Sequence, residues 1–418
     1  MIGLVDGNNF YVSCERVFDP SLEQCPVGIL SNNDGCVISR SQEFKDLGIA
    51  MGTPYFKLKP LLARTSIVLK SSNYALYGDM SRRMISILNE FTPNVEQYSI
   101  DEAFITVNLP ESGDYTTYAK TIRQCILDWI GIPCGIGFAQ TKTLAKIANH
   151  IAKKRLDGVF VMPEHAGPSL QYLPVGDVWG IGSRLTEALS RFGIRTAAQL
   201  AEADTHTLRK KFSVTVARTG LELRGIPAVT DETPDAPSQS VSCSRSFGRP
   251  VVDLEELEEA VTFYTASSAE KLRKERQVAA GANVYFQYYP EYGTDQADGG
   301  FTGTTVAFDP PTDDTSAMLH QIRPVLKGLF LPSRRYKKAG IVLYGLEGKN
   351  AHAPDLFLPV NSTAKRDALY AAIDHINAEH GRGTVFALSE GINRKWAMKR
   401  DWLSPRFTTN WNDLPTAR

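Results

Sequence analysis

The chain lacks paired cysteines: Cys14, Cys25, Cys36, Cys125, Cys134 and Cys243 are scattered, with no C-x-x-C spacing. A zinc knuckle or a disulfide framework needs clustered thiols, so neither is expected. No run approaches the ~18 consecutive apolar residues of a membrane span, and the opening "MIGLVDGNNF" has no basic n-region of a signal peptide. A cytoplasmic protein with no membrane partner is the expectation. Internal repeats and low-complexity tracts are missing too. So is a charge excess, because 46 Lys and Arg balance 46 Asp and Glu; the overall basicity common in nucleic-acid binders is absent. What is present is an ordinary globular composition, 43% hydrophobic and 22% charged over 418 residues, enough for roughly two to four domains.

The charge is unevenly spread. The first 120 residues hold 10 basic against 14 acidic side chains, the remainder 36 against 32. In the second part the basic residues cluster, in "TKTLAKIANHIAKKR", "LRKKF", "EKLRKER", "RRYKK" and "RKWAMKR". Short strands are predicted at "MIGLV" and "PVGILSNN", helices over 39–47 (closed by Gly48) and 79–91, and a strand running into a Gly-rich turn at "PCGIGFA". Strands alternate with helices, which indicates an α+β or α/β core. Residues 163–178, rich in Pro and Gly, mark a crossing into a helical segment that begins "VWGIGSRLTEALSRFGI". The stretch "IPAVTDETPDAPSQSVSCS" has linker composition, and a compact α+β module follows it.

Acids stand where a core is expected. Asp6 ends the apolar run at the N terminus, and "YSIDEAF" sets Asp101 and Glu102 between apolar neighbours, within two short strands joined by a tight reversal. A buried carboxylate without a partner costs several kcal/mol, so such an acid needs a counter-charge, a proton or a metal. A turn cap at "DGNN" and core packing of Phe10 and Tyr11 are the plain alternatives. With no His or Cys beside the acids, oxygen-only ligation points to a hard cation such as Mg²⁺. Two such ions about 3.5 to 4 Å apart suit in-line phosphoryl displacement. Successive strand side chains face opposite ways, so Asp101 and Glu102 share a site only if the chain bends there. On the predicted helix "TKTLAKIANHIAKK", Leu144, Ile147, Ala148 and Ile151 form an apolar face; Lys142, Lys146 and Lys153 form the opposite one, by default a solvated stripe. Gly180 and Gly182 in "VWGIG" give the helix-hairpin-helix pattern, a sequence-independent grip on a phosphate backbone.

In this order, "DGNNFYVSCE", "SNNDGCVISRSQEFKDLGIAMG", "YSIDEAF" and "GIGFAQTKTLAKIANHIAKK" resemble the Y-family translesion DNA polymerases, within them the UmuC type of bacterial DNA polymerase V. The likeness continues through "VWGIG", "CSRSFG", "YKKAG", "HGRGT" and "MKRDWLSPRFTT". It implies an α+β multidomain, right-hand-like polymerase. Palm would occupy 1–27 and 76–166, fingers 28–75, a helical thumb with helix-hairpin-helix 167–233, an α+β little finger 240–350, and a C-terminal partner-binding region 351–418. Asp6, Asp101 and Glu102, with the carbonyl of Gly7, would hold two Mg²⁺ ions. Tyr11 would be the steric gate against a ribose hydroxyl, with Phe10 beside it. Lys146 would neutralise the triphosphate. Where many relatives place Tyr and Arg three apart in the fingers, this chain has Gln42 and Lys45; Lys45 would keep the charge, with Arg40 a further nucleotide contact.

The resemblance also implies DNA-backbone contacts from Gly180, Gly182, Arg245, Arg249, Arg334, Arg335, Lys337 and Lys338. The segment "APDLF" resembles a sliding-clamp peptide, with Leu356 and Phe357 as its apolar pair and Ala353 in place of the usual Gln, which weakens clamp binding. The implied function is error-prone, DNA-directed synthesis from dNTPs on damaged primer-template DNA in the SOS response. The implied partners are a UmuD′-like dimer, a RecA filament and the clamp, and the implied location is cytoplasmic and nucleoid-associated. A catalytically silent DNA-binding regulatory homologue is the alternative, and the presence of all three acids speaks against it.

Overall fold

The computed structural model describes residues 1–62, 64–110, 113–229, 237–290, 299–349 and 360–415, the side chains of 360–363 excepted. It forms two compact units, Met1–Glu232 together with Asp401–Arg418, and Thr233–Arg400. Among the described residues no helix is long and apolar enough to cross a membrane.

In the first unit, strands β1 (Ile2–Gly7), β2 (Val27–Leu30), β3 (Val37–Arg40), β4 (Val68–Ser71), β5 (Val95–Gln97), β6 (Glu102–Thr106), β7 (Cys134–Ala139) and β8 (Val159–Val161) make two sheets. The larger has the order β5-β6-β1-β7-β8, the smaller β3-β2-β4. Helices α1 (Phe10–Phe18), α2 (Gln42–Asp46), α3 (Tyr55–Leu62), α4 (Tyr74–Phe91), α5 (Tyr115–Ile130) and α6 (Lys142–Ala152) pack on them.

The period-two alternation of strand side chains divides the larger sheet between two cores. Val5, Ala103, Ile105, Ile136 and Phe138 face α4 and α5. Leu4, Phe104 and Ala139 face α6 and the helices beyond it. By the same alternation Asp6 and Glu102 fall on the α6 side, at the end of that core. The smaller sheet has its own small core of Leu30, Val37, Phe44, Ile49, Leu58 and Leu69. Helices α7 (Gly167–Leu170), α8 (Ser183–Arg191), α9 (Ala197–Glu202), α10 (Thr205–Lys211) and α11 (Val214–Leu223) complete the unit.

Two predicted helix boundaries shift. The helix expected over 39–47 is only Gln42–Asp46, because Ser39 and Arg40 belong to β3 and the Ser41 hydroxyl caps the helix by accepting from Phe44 N–H. The helix expected from 79 begins at Tyr74, where the Asn73 side chain accepts from Leu76 N–H.

The second unit is a four-stranded antiparallel sheet, built of β9 (Val241–Val251), β10 (Gln277–Tyr288), β11 (Gly300–Thr312) and β12 (Tyr336–Gly348) in the order β11-β10-β12-β9. Helices α12 (Leu254–Lys274) and α13 (Thr315–Leu329) cover one face, burying Val284, Phe286, Ile341 and Leu343 beneath them. Helix α14 (Val360–His380) joins them through a bidentate Arg273–Asp374 pair at 2.7 and 2.9 Å. The C-terminal region expected as one piece over 351–418 is divided, since Asp401–Arg418 belongs to the first unit. The expected clamp peptide with Leu356 and Phe357 lies outside the described residues.

The placement of α6 depends on Gly137. A Cβ there would come within 2.1 Å of Asn149 N, so nothing larger than hydrogen fits between β7 and the helix. Asn149, itself buried, donates from Nδ2 to the carbonyls of Gly135 (2.7 Å) and Leu4 (3.2 Å), tying α6 to β7 and β1. We predict that Gly137→Ala costs at least ~2–3 kcal/mol of unfolding free energy, measured by urea denaturation, because the clash is with backbone. A stability within 0.5 kcal/mol of the parent, roughly that of a neutral surface change, would show that α6 is not pinned there.

Candidate active site

Asp6 and Glu102 are direct partners in the antiparallel register of β1 and β6. The bend required of "YSIDEAF" is present. Ser99 organises it: its hydroxyl accepts from the Glu102 and Asp101 amides (3.0 and 3.3 Å) and donates to the Asp101 carboxylate at 2.6 Å. Asp101 therefore lies in the turn while Glu102 opens β6, and the Gly7 amide donates to the Asp101 carbonyl at 2.9 Å. Asp6 and the distant pair Asp101 and Glu102 meet at one end of the sheet.

Each acid on the α6 side has a lysine. Lys142, Lys146 and Lys153 lie along one stripe of the helix, at spacings of four and seven. Their Nζ atoms reach Glu96 (2.5 Å), Glu102 (3.1 Å to each oxygen) and Asp6 (2.5 Å). The expectation of a solvated basic face fails here, because the sheet presents an acid below each lysine and Lys142 is itself buried. Burial pushes the Asp6 carboxyl up to about 6, Lys153 pulling it back and Glu102 and Asp101 pushing it further.

Among the described residues no group of three His, Cys, Asp or Glu side chains is gathered as a ready-made metal cage. The donor set still suits a hard cation, being oxygen-only and carrying a buried carboxylate now neutralised by an ammonium group that a divalent ion would displace. A cleft of about 230 Å³ opens here, lined by Asp6, Glu102, Lys146, Lys153 and Trp179 among others.

Tyr11 is on the first turn of α1, reached from β1 through Asn9, which takes the left-handed conformation at φ 47°. Its ring stacks on Tyr77 of α4 with centroids 4.5 Å apart and meets Tyr74 edge-on at 6.1 Å. Burial pushes its hydroxyl up to about 12, with Tyr74 and Asp101 adding to the effect. Phe10 is buried beside it. Lys45 donates to the Asn9 side chain at 2.7 Å, and its ammonium is held below the usual lysine range by burial first, then by Arg40 and Lys153. Arg40, Lys45 and Lys153 thus share one positive field next to the acids, the arrangement that receives a polyanion. Arg40 is fixed by a bond to the Ile49 carbonyl at 2.7 Å.

The three rings around Lys146 were not singled out by the sequence. Lys146 sits in an aromatic box, its Nζ 4.2 Å from the Tyr98 ring centre, 5.3 Å from Trp179 and 5.9 Å from Phe104, while the Trp179 indole donates to the Tyr98 hydroxyl at 3.1 Å. Trp179 lies inside "VWGIG", which was the available signal. Gly180 (φ +83°) and Gly182 flank buried Ile181, and a Cβ at either glycine would meet nothing within 4 Å. Backbone is therefore open at the start of α8, which has no side-chain cap.

In the second unit the six basic candidates do not form one surface. Arg245 shares the helix-covered side with Val241 and Phe247, its guanidinium 5.0 Å from the Phe263 ring. Arg249 pairs with Glu256. Arg334 lies over Tyr288 at 4.1 Å and Arg335 over Tyr289 at 5.5 Å. Lys337 falls at a bulge of β12. Lys338 alternates with the buried Ala339 and is on the open face, opposite Ser246 and Gln287. That face also carries Ser242, Ser244, Asn283 and Tyr285, the last stacked on Phe301 at 5.4 Å.

The fold is that of the Y-family DNA polymerases. The chain matches a Y-family DNA polymerase chimera of Dbh and Dpo4 with TM-score 0.62 and 20% identity over 83% of this chain and 100% of that one, and a ternary complex of Dbh DNA polymerase with TM-score 0.54 and 21% identity over 82% and 98%. By sequence it belongs to the impB/mucB/samB family: residues 5–150 match the family and 238–356 its C-terminal domain, while 367–417 match a domain of unknown function, DUF4113. It is 41% identical to Protein UmuC of Salmonella typhimurium over 99% of both chains, and 39% identical to Protein ImpB of Salmonella typhimurium over 100% of both. DNA polymerase IV of Bacillus anthracis is 30% identical over 68% of this chain and 70% of its own.

The Asp6 environment makes a pH-dependent prediction. Its carboxyl holds a proton more tightly in the folded chain (about 6) than in the unfolded one (3.8), so ionising it costs stability as pH rises between those values. In EDTA, Asp6→Asn should match the parent near pH 4 and become progressively more stable than it as pH rises to about 6, read by urea denaturation across pH. A difference independent of pH would mean that Asp6 does not titrate as a buried acid.

Proposed function

We propose that this chain is an error-prone translesion DNA polymerase, adding a nucleotide from a dNTP to a primer 3′-hydroxyl opposite damaged template in the SOS response. The observation that carries it is the meeting of Asp6, Asp101 and Glu102 beside the Tyr11 ring and a positive field. Kinship with UmuC, and with relatives named DNA polymerase IV, supports the reading.

The three carboxylates and the Gly7 carbonyl would hold two Mg²⁺ ions, which when bound lower the charge barrier between the attacking and leaving oxygens. The protein's own groups do the rest. Lys146, Lys153, Lys45 and Arg40 balance the triphosphate, the first two exchanging an acid partner for a phosphate. Tyr11, backed by Phe10 and Tyr77, presents a rigid ring where a ribose 2′-hydroxyl would need room. Gly180 and Gly182 offer backbone amides to the DNA phosphates. The open face of the second unit's sheet, with Lys338 and its row of serines, contacts backbone without reading bases, and Arg249, Arg334, Arg335 and Lys337 add charge near its edge. Arg245, turned toward α12, steadies the sheet. A UmuD′-like dimer, a RecA filament and the sliding clamp, through Leu356 and Phe357, belong to the same proposal, as does association with the nucleoid.

The lysine pairing of Asp6 and Glu102 is the observation that favours a silent DNA-binding homologue instead. Primer extension with Mg²⁺ separates the two. The double variant Asp101→Ala, Glu102→Ala should lose at least about 10³-fold in rate, as expected when several kcal/mol of transition-state stabilisation are removed; equal extension by parent and variant would end the assignment. Tyr11→Ala should raise ribonucleotide insertion in single-nucleotide assays while deoxyribonucleotide insertion persists. Unchanged sugar selection would remove Tyr11 from the gate.

A further inference from the structure

The C-terminal segment leaves the second unit and packs within the first, against β4 and the helices α1 and α4. Asp401 N–H donates to buried Asp34 (2.8 Å), and Trp402 exchanges backbone and hydroxyl bonds with Ser71, N–H to Oγ at 3.0 Å and Ser71 N–H to the Trp402 carbonyl at 3.0 Å. The Trp402 ring lies 5.0 Å from Tyr55, and Phe407 stacks on Phe18 at 4.8 Å. The Asn73 side chain, which caps α4, donates to Ser404 Oγ and to the carbonyls of Ser404 and Pro405 at 3.0 to 3.2 Å. The segment is therefore seated on the two helices that carry Tyr11 and Tyr77.

At its centre is a buried acid that the polymerase reading does not use. Glu15, 1% exposed, faces the core of α1. One of its oxygens accepts from both the Tyr77 hydroxyl (2.7 Å) and the Ser404 hydroxyl (2.9 Å). Burial raises the Glu15 carboxyl and these two bonds oppose that shift. Tyr77 is wholly buried and is the ring on which Tyr11 stacks, at 14°. A chain of contacts thus runs from position 404 through 15 and 77 to 11, entirely within the first unit.

We propose that residues 401–415 form an arm of the nucleotide pocket, in which Ser404, Glu15 and Tyr77 act as positioning residues that hold the Tyr11 ring at the angle needed for sugar selection. The proposal deepens the polymerase reading and rests on Tyr11 facing the sugar. It gives the C-terminal part of the 367–417 match a task inside the catalytic unit.

The test uses the full chain. Ser404→Ala and Tyr77→Phe each remove one hydroxyl and leave the rings in place. Each should lower dNTP-over-rNTP selection about 3- to 10-fold, the range for losing one buried hydrogen bond, read as the ratio of the two insertion efficiencies. Ser404→Thr, which keeps the hydroxyl, should restore selection, and Ser404→Ala should add nothing in a Tyr11→Ala background. Independently of turnover, 3-fluorotyrosine placed at position 11 should shift its ¹⁹F resonance on Ser404→Ala. Parent-like selection together with an unmoved resonance in Ser404→Ala and Tyr77→Phe would overturn the arm alone. Unchanged selection in Tyr11→Ala would overturn the gate, and the arm with it.

Discussion

The site depends on a balance of buried charge between one helix and one sheet edge. Glu96, Glu102 and Asp6 project toward α6, and Lys142, Lys146 and Lys153 meet them in turn. Asp6 and Glu102 lie too deep to stand alone, so Lys153 and Lys146 are a condition of folding before they are anything else, whereas the more exposed Glu96 neutralises the buried Lys142. They are also mobile cations on long stems, able to change partners. The same ladder that makes the apo fold tolerable keeps a reserve of positive charge where a triphosphate would arrive. The close seat of α6 at Gly137 sets its spacing: a displaced helix would unpair all three lysines together.

The aromatic residues serve this balance in two places. Tyr98, Phe104 and Trp179 surround Lys146 and hold its ammonium over ring faces, an environment that favours a cation without fixing its partner. Because Trp179 precedes Gly180 and Gly182, one side chain joins the open backbone at the start of α8 to the lysine that pairs with Glu102. Between α1 and α4, Tyr11 stacks on Tyr77 with Tyr74 edge-on to both, and the deepest of the three, Tyr77, is hydrogen-bonded to Glu15. Rings with few rotatable bonds are suited to shape selection, since they resist deformation at small entropic cost.

Much of the site was legible because its residues break the pattern of their segments. Asp6, Asp101 and Glu102 stood out as acids in apolar strands, and the bend at Ser99 followed from the two-residue period. What could not be read was the partnership of the lysines. A helix stripe of Lys142, Lys146 and Lys153 looks the same whether it faces water or a row of acids, and only the packing of α6 onto β7 and β1 decides, by carrying the lysines over the acids of β1, β5 and β6. Glu15 escaped for a similar reason, since its partners lie 62 and 389 residues away. In the second unit β10 and β12 were visible as β-branched and aromatic runs. The edge strands were not, because β9 is rich in Ser and β11 in Gly and Thr and ends in Pro310 and Pro311, compositions that local preference assigns to loops. Arg245 entered the phosphate contacts through the family resemblance, and strand parity sets it on the helix-covered side, beside Phe263.

The return of the chain at Asp401 makes the sheet-and-helix unit an insertion and not an appendage. It is joined to the catalytic unit at both of its ends, so after a single protease cut in the first connection the two fragments stay together only while the segment after Asp401 keeps its seat on the first unit. A domain strung on one tether explores a volume set by that tether's length; a second attachment shrinks it and raises the local concentration of each part for the other. Exchange of this module between related chains would then need two compatible junctions, one of them ending in a segment built into the floor of its host.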